Sequence, residues 1–474
     1  MEIKKLEYIA NYTGGKIYKS DVPDIYLKKI SIDSRSVDSE SLFFAIIGNR
    51  VDAHDFLEDV IEKECLTFVL SNKDIAKKIC ENYKVNIILV DDTLEALMKF
   101  TEGLMHEFSD AKIIGVTGSV GKTAAKEMIS AILSDDYKVE KTKGNFNSEY
   151  GIPLMVSRFK ADSQALVIEM GVGDTTKMDH LADMIKPNMA VITKIGSSHL
   201  ETFGSREKIL EEKLKITKHF KENDVLVVNG DDNLLNKTNI NKFTNNKFQI
   251  KTVGFNADND YQITDIKDCG IFGVSSLIID KKSNERFVLK MPYIGEHNLI
   301  NGAIALAIGK ELGVDLFTGI ERINNASITS GRLEVLKNSR DVSIINDTYN
   351  ASPESVIAAL KVLAKSGKNR KIAILGDMLA LGENSELLHE HVGESEYIKE
   401  IAILITIGRK ARAIGDAARK KYKNLQIFSY DTKEKAIDDI IKIVSDGDLI
   451  LVKASRGMEL EEIVEKLLNC KEMK

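Results

Sequence analysis

Residues 112 to 123 read KIIGVTGSVGKT, and no other stretch constrains the chain so strongly. KIIGV has the pattern of a buried strand. Glycines then allow a tight turn, and Ala125, Met128, Ile129, Ile132 and Leu133 recur on one face of a helix that opens at Lys122. A backbone curling from a strand into a helix start turns several N–H groups toward one point, and the helix adds the positive end of its dipole. Such a turn cradles phosphate. Lys122 is placed to neutralise outer phosphates, and the Thr123 hydroxyl to ligate Mg²⁺. Gly115 lies six residues before Gly121, so the common G-x4-G-K-[ST] spacing is missed by one. The reading is a nucleotide-binding protein.

At 474 residues the chain is too long for a single core, and about 150 residues per domain predicts three. Further buried strands recur at ALVIEM (165–170), MAVITKI (189–195) and VLVVNG (225–230), alternating with helices as in a parallel sheet. Residues 251–292 break the rhythm with an antiparallel excursion around the turn KKSNE, and a helix follows from Asn298 to about Leu312. After Gly331 a second alternation places strands near 342–345, 371–375, 401–407 and 448–452. The join near 323–331, which contains the polar stretch NNASITSG, suits a hinge. The expected fold is α/β in three domains. They are a mixed α/β N-terminal domain (1–108), a central P-loop mononucleotide-binding parallel-sheet domain (109–325) and a C-terminal Rossmann-like domain (326–474).

Composition narrows the partners. Lys plus Arg number 66 against 72 Asp plus Glu, a net charge of −6, which gives no whole-molecule signal for nucleic acid or an anionic membrane. The four cysteines, Cys65, Cys80, Cys269 and Cys470, have no CxxC spacing and read as reduced packing residues. MEIKKLEYIA lacks the apolar core of a signal peptide, and the longest apolar run, IAILITI (401–407), is far short of a membrane span. The expectation is a soluble, cytoplasmic protein.

A bound triphosphate needs magnesium held by ligands from neighbouring strand ends. Glu169 ends one strand and His199 follows another, so both are candidates. On its own, His199 reads equally well as a satisfied turn histidine. Lys213 lies in the lysine-rich EEKLKITKHF, where composition and periodicity read a solvated face.

These residues, together with KGNFNSEYGIPL (143–154), VIEMG (167–171), IGSSHLETFGS (195–205) and GEHNLIN (295–301), resemble the Mur ligases, ATP-dependent amide ligases of peptidoglycan synthesis. The resemblance covers essentially the full length. INDTYNASPES (345–355), GDMLALGENSELLHEHVGE (376–394) and the N-terminal ISIDSRSVDSESLFFAIIGNRVDAHDF (30–56) are similar to the branch that adds D-alanyl-D-alanine to UDP-N-acetylmuramoyl-tripeptide through an acyl phosphate, giving ADP and phosphate. Another ligase of the superfamily with a different acceptor is the alternative.

The resemblance implies a set of roles. Gly118, Ser119, Val120, Gly121, Lys122 and Thr123 hold ATP phosphates, and Asn298 and Asn301 face the adenine. Arg332 and Asp347 reach the nucleotide from the C-terminal domain. Thr123, Glu169, His199 and Lys213 serve two Mg²⁺ ions, with Lys213 carbamylated. Lys122, Glu169, His199, Lys213 and Arg332 form the catalytic group. Ser34 and Arg35 contact the UDP part, while Asn147, Asn350 and Ser352 meet substrate, the last two with 376–394 on the dipeptide side. A monomer without nucleic-acid or membrane partners is expected. Departures from the family pattern include Ala124 and Ala125 after Thr123, Thr176-Lys177, Asn346, Ala53 and Ala454. None removes a proposed metal or phosphate ligand.

Overall fold

The computed structural model describes residues 5–172, 178–196, 200–244, 248–326, 330–367 and 370–470. His199, Thr176 and Lys177 lie outside the described residues. Among those described, the strands form three sheets. In the first, Lys16–Ser20 pairs antiparallel with Asn86–Leu89, and Thr67–Leu70, Ser41–Phe44 and Lys29–Ser31 continue it in parallel.

The middle sheet has nine strands, and its centre positions the site. Lys112–Thr117 runs between Ala165–Glu169 and Met189–Ile192, parallel to both. The chain therefore leaves this strand toward one side of the sheet and later returns on the other. Ligands of open α/β sheets bind at such a switch point, outside the strands' carboxyl ends. Nearly every residue of these strands is buried, as runs of branched aliphatics covered on both faces should be. Lys122–Leu133 packs on one face against His297–Glu311, a helix buried almost all round, and the two share one apolar cluster.

The third sheet orders Glu334–Lys337, Ser343–Asp347, Leu449–Lys453, Lys371–Gly376, Ile403–Ile407 and Gln426–Tyr430. Its first strand is antiparallel and the rest are parallel. Apolar packing is continuous between the first two sheets: Leu6, Phe44 and Phe100 share a cluster with Leu166, Ile168 and Ile192. Among the described residues no helix is long and apolar enough to cross a membrane.

Three expectations change. The antiparallel excursion begins at Tyr261, because Gln249–Gly254 still extends the parallel sheet. The two edge strands Glu334–Lys337 and Gln426–Tyr430 had no sequence signal, since both are half exposed and lack a buried run. The join at 323–331 is in part helical, because Leu316–Asn325 persists to Asn325, while 327–329 lie outside the described residues. The chain turns instead at Gly331, with φ +73°, and at Leu333, with φ +53°. The left-handed conformation costs a branched residue such as Leu333 about 1–2 kcal/mol, and it sits beside Arg332.

Candidate active site

The phosphate loop is built by close approach. Gly118 has φ +143° and Gly121 φ +90°, and a Cβ on Gly118 would lie 2.0 Å from Thr193 Oγ1. The Ser119 N–H donates to the Lys194 carbonyl at 2.8 Å, and Thr193 Oγ1 donates to the Val120 carbonyl at 2.6 Å. The loop is thus pinned to the end of the neighbouring strand. Lys122 Nζ donates to the Gly118 carbonyl at 2.8 Å, which lays the ammonium across the loop's mouth, and burial lowers its pKa.

Glu169 ends its strand opposite Val116. Its carboxylate accepts the Thr123 hydroxyl at 2.8 Å and the Asn147 amide at 3.0 Å. A buried carboxylate needs a cation, and this one has Lys126 Nζ at 3.9 Å. Lys126 is 1% exposed, bridges to Glu127 at 3.1 Å and donates to the Thr142 carbonyl at 2.7 Å. Thr123 and Glu169 offer hard oxygens at one point, a donor chemistry that fits magnesium. Among the described residues no three His, Cys, Asp or Glu side chains cluster as a metal site.

Lys213 corrects the solvated-face reading. It lies on the inner side of Arg206–Leu214 with Ile209, Leu210 and Leu214, and is 5% exposed. Burial, with Lys122 close enough to repel it, brings its ammonium down to about 7.

The third sheet completes the cavity, of about 490 Å³, and its lining includes Asn147, Asn298, Asn301, Arg332, Asp347, Asn350 and Ser352 beside the phosphate loop. Asn301 Nδ2 donates to Asn298 Oδ1 at 3.1 Å, and Asn298 Nδ2 to the Ile294 carbonyl at 2.9 Å. The Arg332 guanidinium carbon stands 4.0 Å from the Tyr349 ring centroid, and its buried Nε has no hydrogen-bond partner among the described residues. Asp347 pairs with Lys453 at 2.6 Å and accepts the Leu333 N–H at 3.3 Å. Burial pushes the Asp347 carboxyl up, against the pull of Lys453 and Arg332.

Two groups of sequence candidates lie elsewhere. Ser34 and Arg35 occupy an exposed turn of the first sheet, away from the cavity lining. There Arg35 grips Asp33 with two nitrogens, which holds the Asp33 carboxyl at about 2. The 376–394 stretch is also absent from the cavity wall. Its His389 is buried and takes the Met378 N–H on Nε2 at 3.0 Å, so Nδ1 carries the proton donated to the Ser385 carbonyl at 2.6 Å. This histidine ties its own loop together.

Lys126, Lys194, Tyr349, Glu354 and Lys453 were not among the sequence candidates. Lys126 carried one usable signal: an ammonium placed one turn after Lys122, beside the apolar face of its helix. The others meet the cavity only through sheet order.

Residues 116–309 match the model of the Mur ligase middle domain, and 331–456 that of the Mur ligase, glutamate ligase domain. The chain is 35% identical over 466 residues to the UDP-N-acetylmuramoyl-tripeptide--D-alanyl-D-alanine ligase of Bacillus subtilis, covering 98% of each. The chain belongs to the Mur ligase family. Among solved Mur ligases, MurF from Acinetobacter baumannii superposes with a TM-score of 0.88 at 26% identity over 99% of both chains. MurF ligase from Thermotoga maritima, solved in complex with ADP, gives 0.78 at 29% identity, covering 93% of this chain and 96% of that one.

Proposed function

We propose that this Mur ligase joins the amine of D-alanyl-D-alanine to the terminal carboxylate of UDP-N-acetylmuramoyl-tripeptide, consuming ATP and releasing ADP and phosphate in peptidoglycan synthesis. One observation carries the reading: Lys122 and Thr123 of the middle sheet share a cavity with Arg332, Asp347 and Asn350 of the third. An activating group and an acceptor can be brought together there.

Gly118 to Thr123 hold the phosphates of ATP, and Asn298 and Asn301 face its base. An anionic carboxylate must approach an anionic triphosphate, so Lys122 and Arg332 act by offsetting that repulsion and the charge growing on the transferred group. The carboxylate takes the γ-phosphoryl group to give an acyl phosphate; the acceptor amine then attacks the acyl carbon and phosphate departs. Asn147, Asn350 and Ser352 meet substrate near the reacting ends, while Ser34 and Arg35 hold the UDP end on the first sheet. Asp347, tied to Lys453 and Leu333, fixes the approach of Arg332.

Thr123 and Glu169 have the oxygen chemistry to hold magnesium, with His199 and Lys213 proposed for a second ion. Magnesium there would screen triphosphate charge. A carbamate on Lys213 is proposed on chemistry alone: an amine brought down to about 7 is in part neutral at neutral pH and free to take up carbon dioxide. The division into 1–108, 109–325 and 326–474, closure around the turn at Gly331, a monomeric state and a cytoplasmic location belong to the same proposal.

The test is ADP release and product mass with UDP-linked tripeptides against D-alanyl-D-alanine, diaminopimelate, lysine and glutamate. Amide formation with the D-dipeptide alone is expected. Turnover only with a single amino acid would replace this reading with another ligase of the superfamily.

A further inference from the structure

Lys126 has no part in the chemistry proposed above, yet it is 1% exposed, and Glu169 beside it is 2% exposed. It stands one turn after Lys122 on the helix Lys122–Leu133. Its ammonium donates to the Thr142 carbonyl at 2.7 Å, and the Thr142 hydroxyl accepts the Glu169 N–H at 2.9 Å. Through Thr142, the lysine's side chain and the glutamate's backbone are fixed to one another.

The two carboxylate oxygens of Glu169 are not equivalent. Oε1 accepts the Asn147 amide at 3.0 Å. Oε2 accepts the Thr123 hydroxyl at 2.8 Å, and it is this same atom that Lys126 Nζ approaches to 3.9 Å. The oxygen best placed to meet a metal beside Thr123 therefore already faces a fixed ammonium. Lys126 also bridges to Glu127 at 3.1 Å, and Glu127 pairs in turn with Lys141. The charges of two acids and two lysines cancel. Lys122 adds a further ammonium close enough to Glu169 to be supported by its charge.

That balance sets what a divalent ion would meet. A fixed positive charge opposes a second cation, and most strongly where water is excluded. Magnesium dehydrates reluctantly and is usually held by one or two carboxylates together with substrate phosphates. With both acids already answered, the protein has no negative charge to spare for it. A triphosphate brings the missing charge.

We infer that Lys126 is a positioning residue that holds and neutralises Glu169, so that the site takes its metal far more tightly with the nucleotide than without it. The inference rests on the magnesium reading of Thr123 and Glu169. Its two carboxylate partners make opposite changes possible. Without the charge of Lys126 one acid is left unanswered, and the nucleotide-free protein gains a place for a cation. Without the charge of Glu127 the lysines are in surplus, and the metal is held less well.

The test is equilibrium dialysis of the full chain against Mn²⁺, with and without ADP, which counts the metal that the protein retains. Wild type should retain Mn²⁺ about tenfold or more tightly with ADP than without. Lys126→Met should tighten retention without ADP about tenfold, closing that gap. Glu127→Gln should weaken retention about threefold or more in both conditions, the smaller effect of a partly exposed pair. A lysine that only braced the core would give weaker retention in both variants. Unchanged retention in either variant, or both moving the same way, overturns the assignment. If circular dichroism shows that Lys126→Met does not fold, Glu127→Gln decides alone, and unchanged or tighter retention in it overturns the inference. Wild type that retains no Mn²⁺ even with ADP would overturn the magnesium reading itself.

Discussion

Arg332 lies over the ring of Tyr349, its guanidinium carbon 4.0 Å from the ring centroid, in a cavity that the middle and third sheets wall together. The arginine is aimed by three neighbours. The ring supports its face, Asp347 fixes the next backbone N–H, and Leu333 holds the left-handed bend. Arg332→Ala should lower kcat/KM for ATP about 10²-fold or more, the usual cost of removing a group that meets developing charge. Tyr349→Leu keeps the charge and loses its support, worth about 0.5–2 kcal/mol, or about 2- to 30-fold. Steady-state kinetics on both variants would show the order; equal effects would mean that the ring does more than support.

The phosphate loop separates chemistry from packing. Lys122→Ala should cut ADP formation by about 10²–10³ while leaving the melting temperature nearly unchanged, because among the described residues the lysine's hydrogen bond goes to its own loop's carbonyl. Gly118→Ala should do the reverse first: its Cβ meets Thr193 Oγ1 and the strand behind it, an overpacking worth about 1–3 kcal/mol. Calorimetry and ADP release on the pair decide the matter.

His297 predicts the acid limb of stability. Burial, with Lys453, Lys194 and Lys361 repelling its charge and Glu296 opposing them, holds the imidazole at about 4. Between that value and an unfolded pKa of about 6.5 the unfolded chain binds the extra proton, so stability must fall as pH drops through this window. His297→Gln should flatten that fall by at least about 1 kcal/mol, one pKa unit's worth. Denaturant midpoints across the window provide the readout, and parallel curves for both proteins would remove His297 from the account.

Glu296, at the start of the helix His297–Glu311, is held by Lys361 and Lys365 of the helix Pro353–Lys365. These pairs are partly exposed, so their strength depends on salt. Replacing both lysines with Met should raise KM for ATP about 3- to 10-fold at low ionic strength, and the difference from wild type should shrink as salt rises. A salt-independent difference would point to lost packing by the lysine stems.

Much of the fold was legible, and the reason is local. Lys112–Thr117, Ala165–Glu169, Met189–Ile192 and Val225–Asn229 are buried on both faces and so read as unbroken apolar runs. Glu334–Lys337 and Gln426–Tyr430 are sheet edges, where half-exposed residues leave no such run. Lys213 failed for a related reason: a lysine written among lysines reads as solvated, and only the packing of Arg206–Leu214 turns it inward. The stretch 376–394 matched a motif, yet its buried histidine serves its own loop.

The order of residues by itself determined the phosphate loop. Strand, glycine turn, lysine and helix start are consecutive, and backbone geometry over a dozen residues suffices to converge them. Everything that reaches the loop from far along the chain was decided by tertiary structure. Asn147, Glu169, Asn301, Arg332 and Glu354 come together because parallel strands deliver their carboxyl ends to one edge and the third sheet folds over it. Side-chain direction across such distances depends on sheet order and burial, which no local pattern encodes.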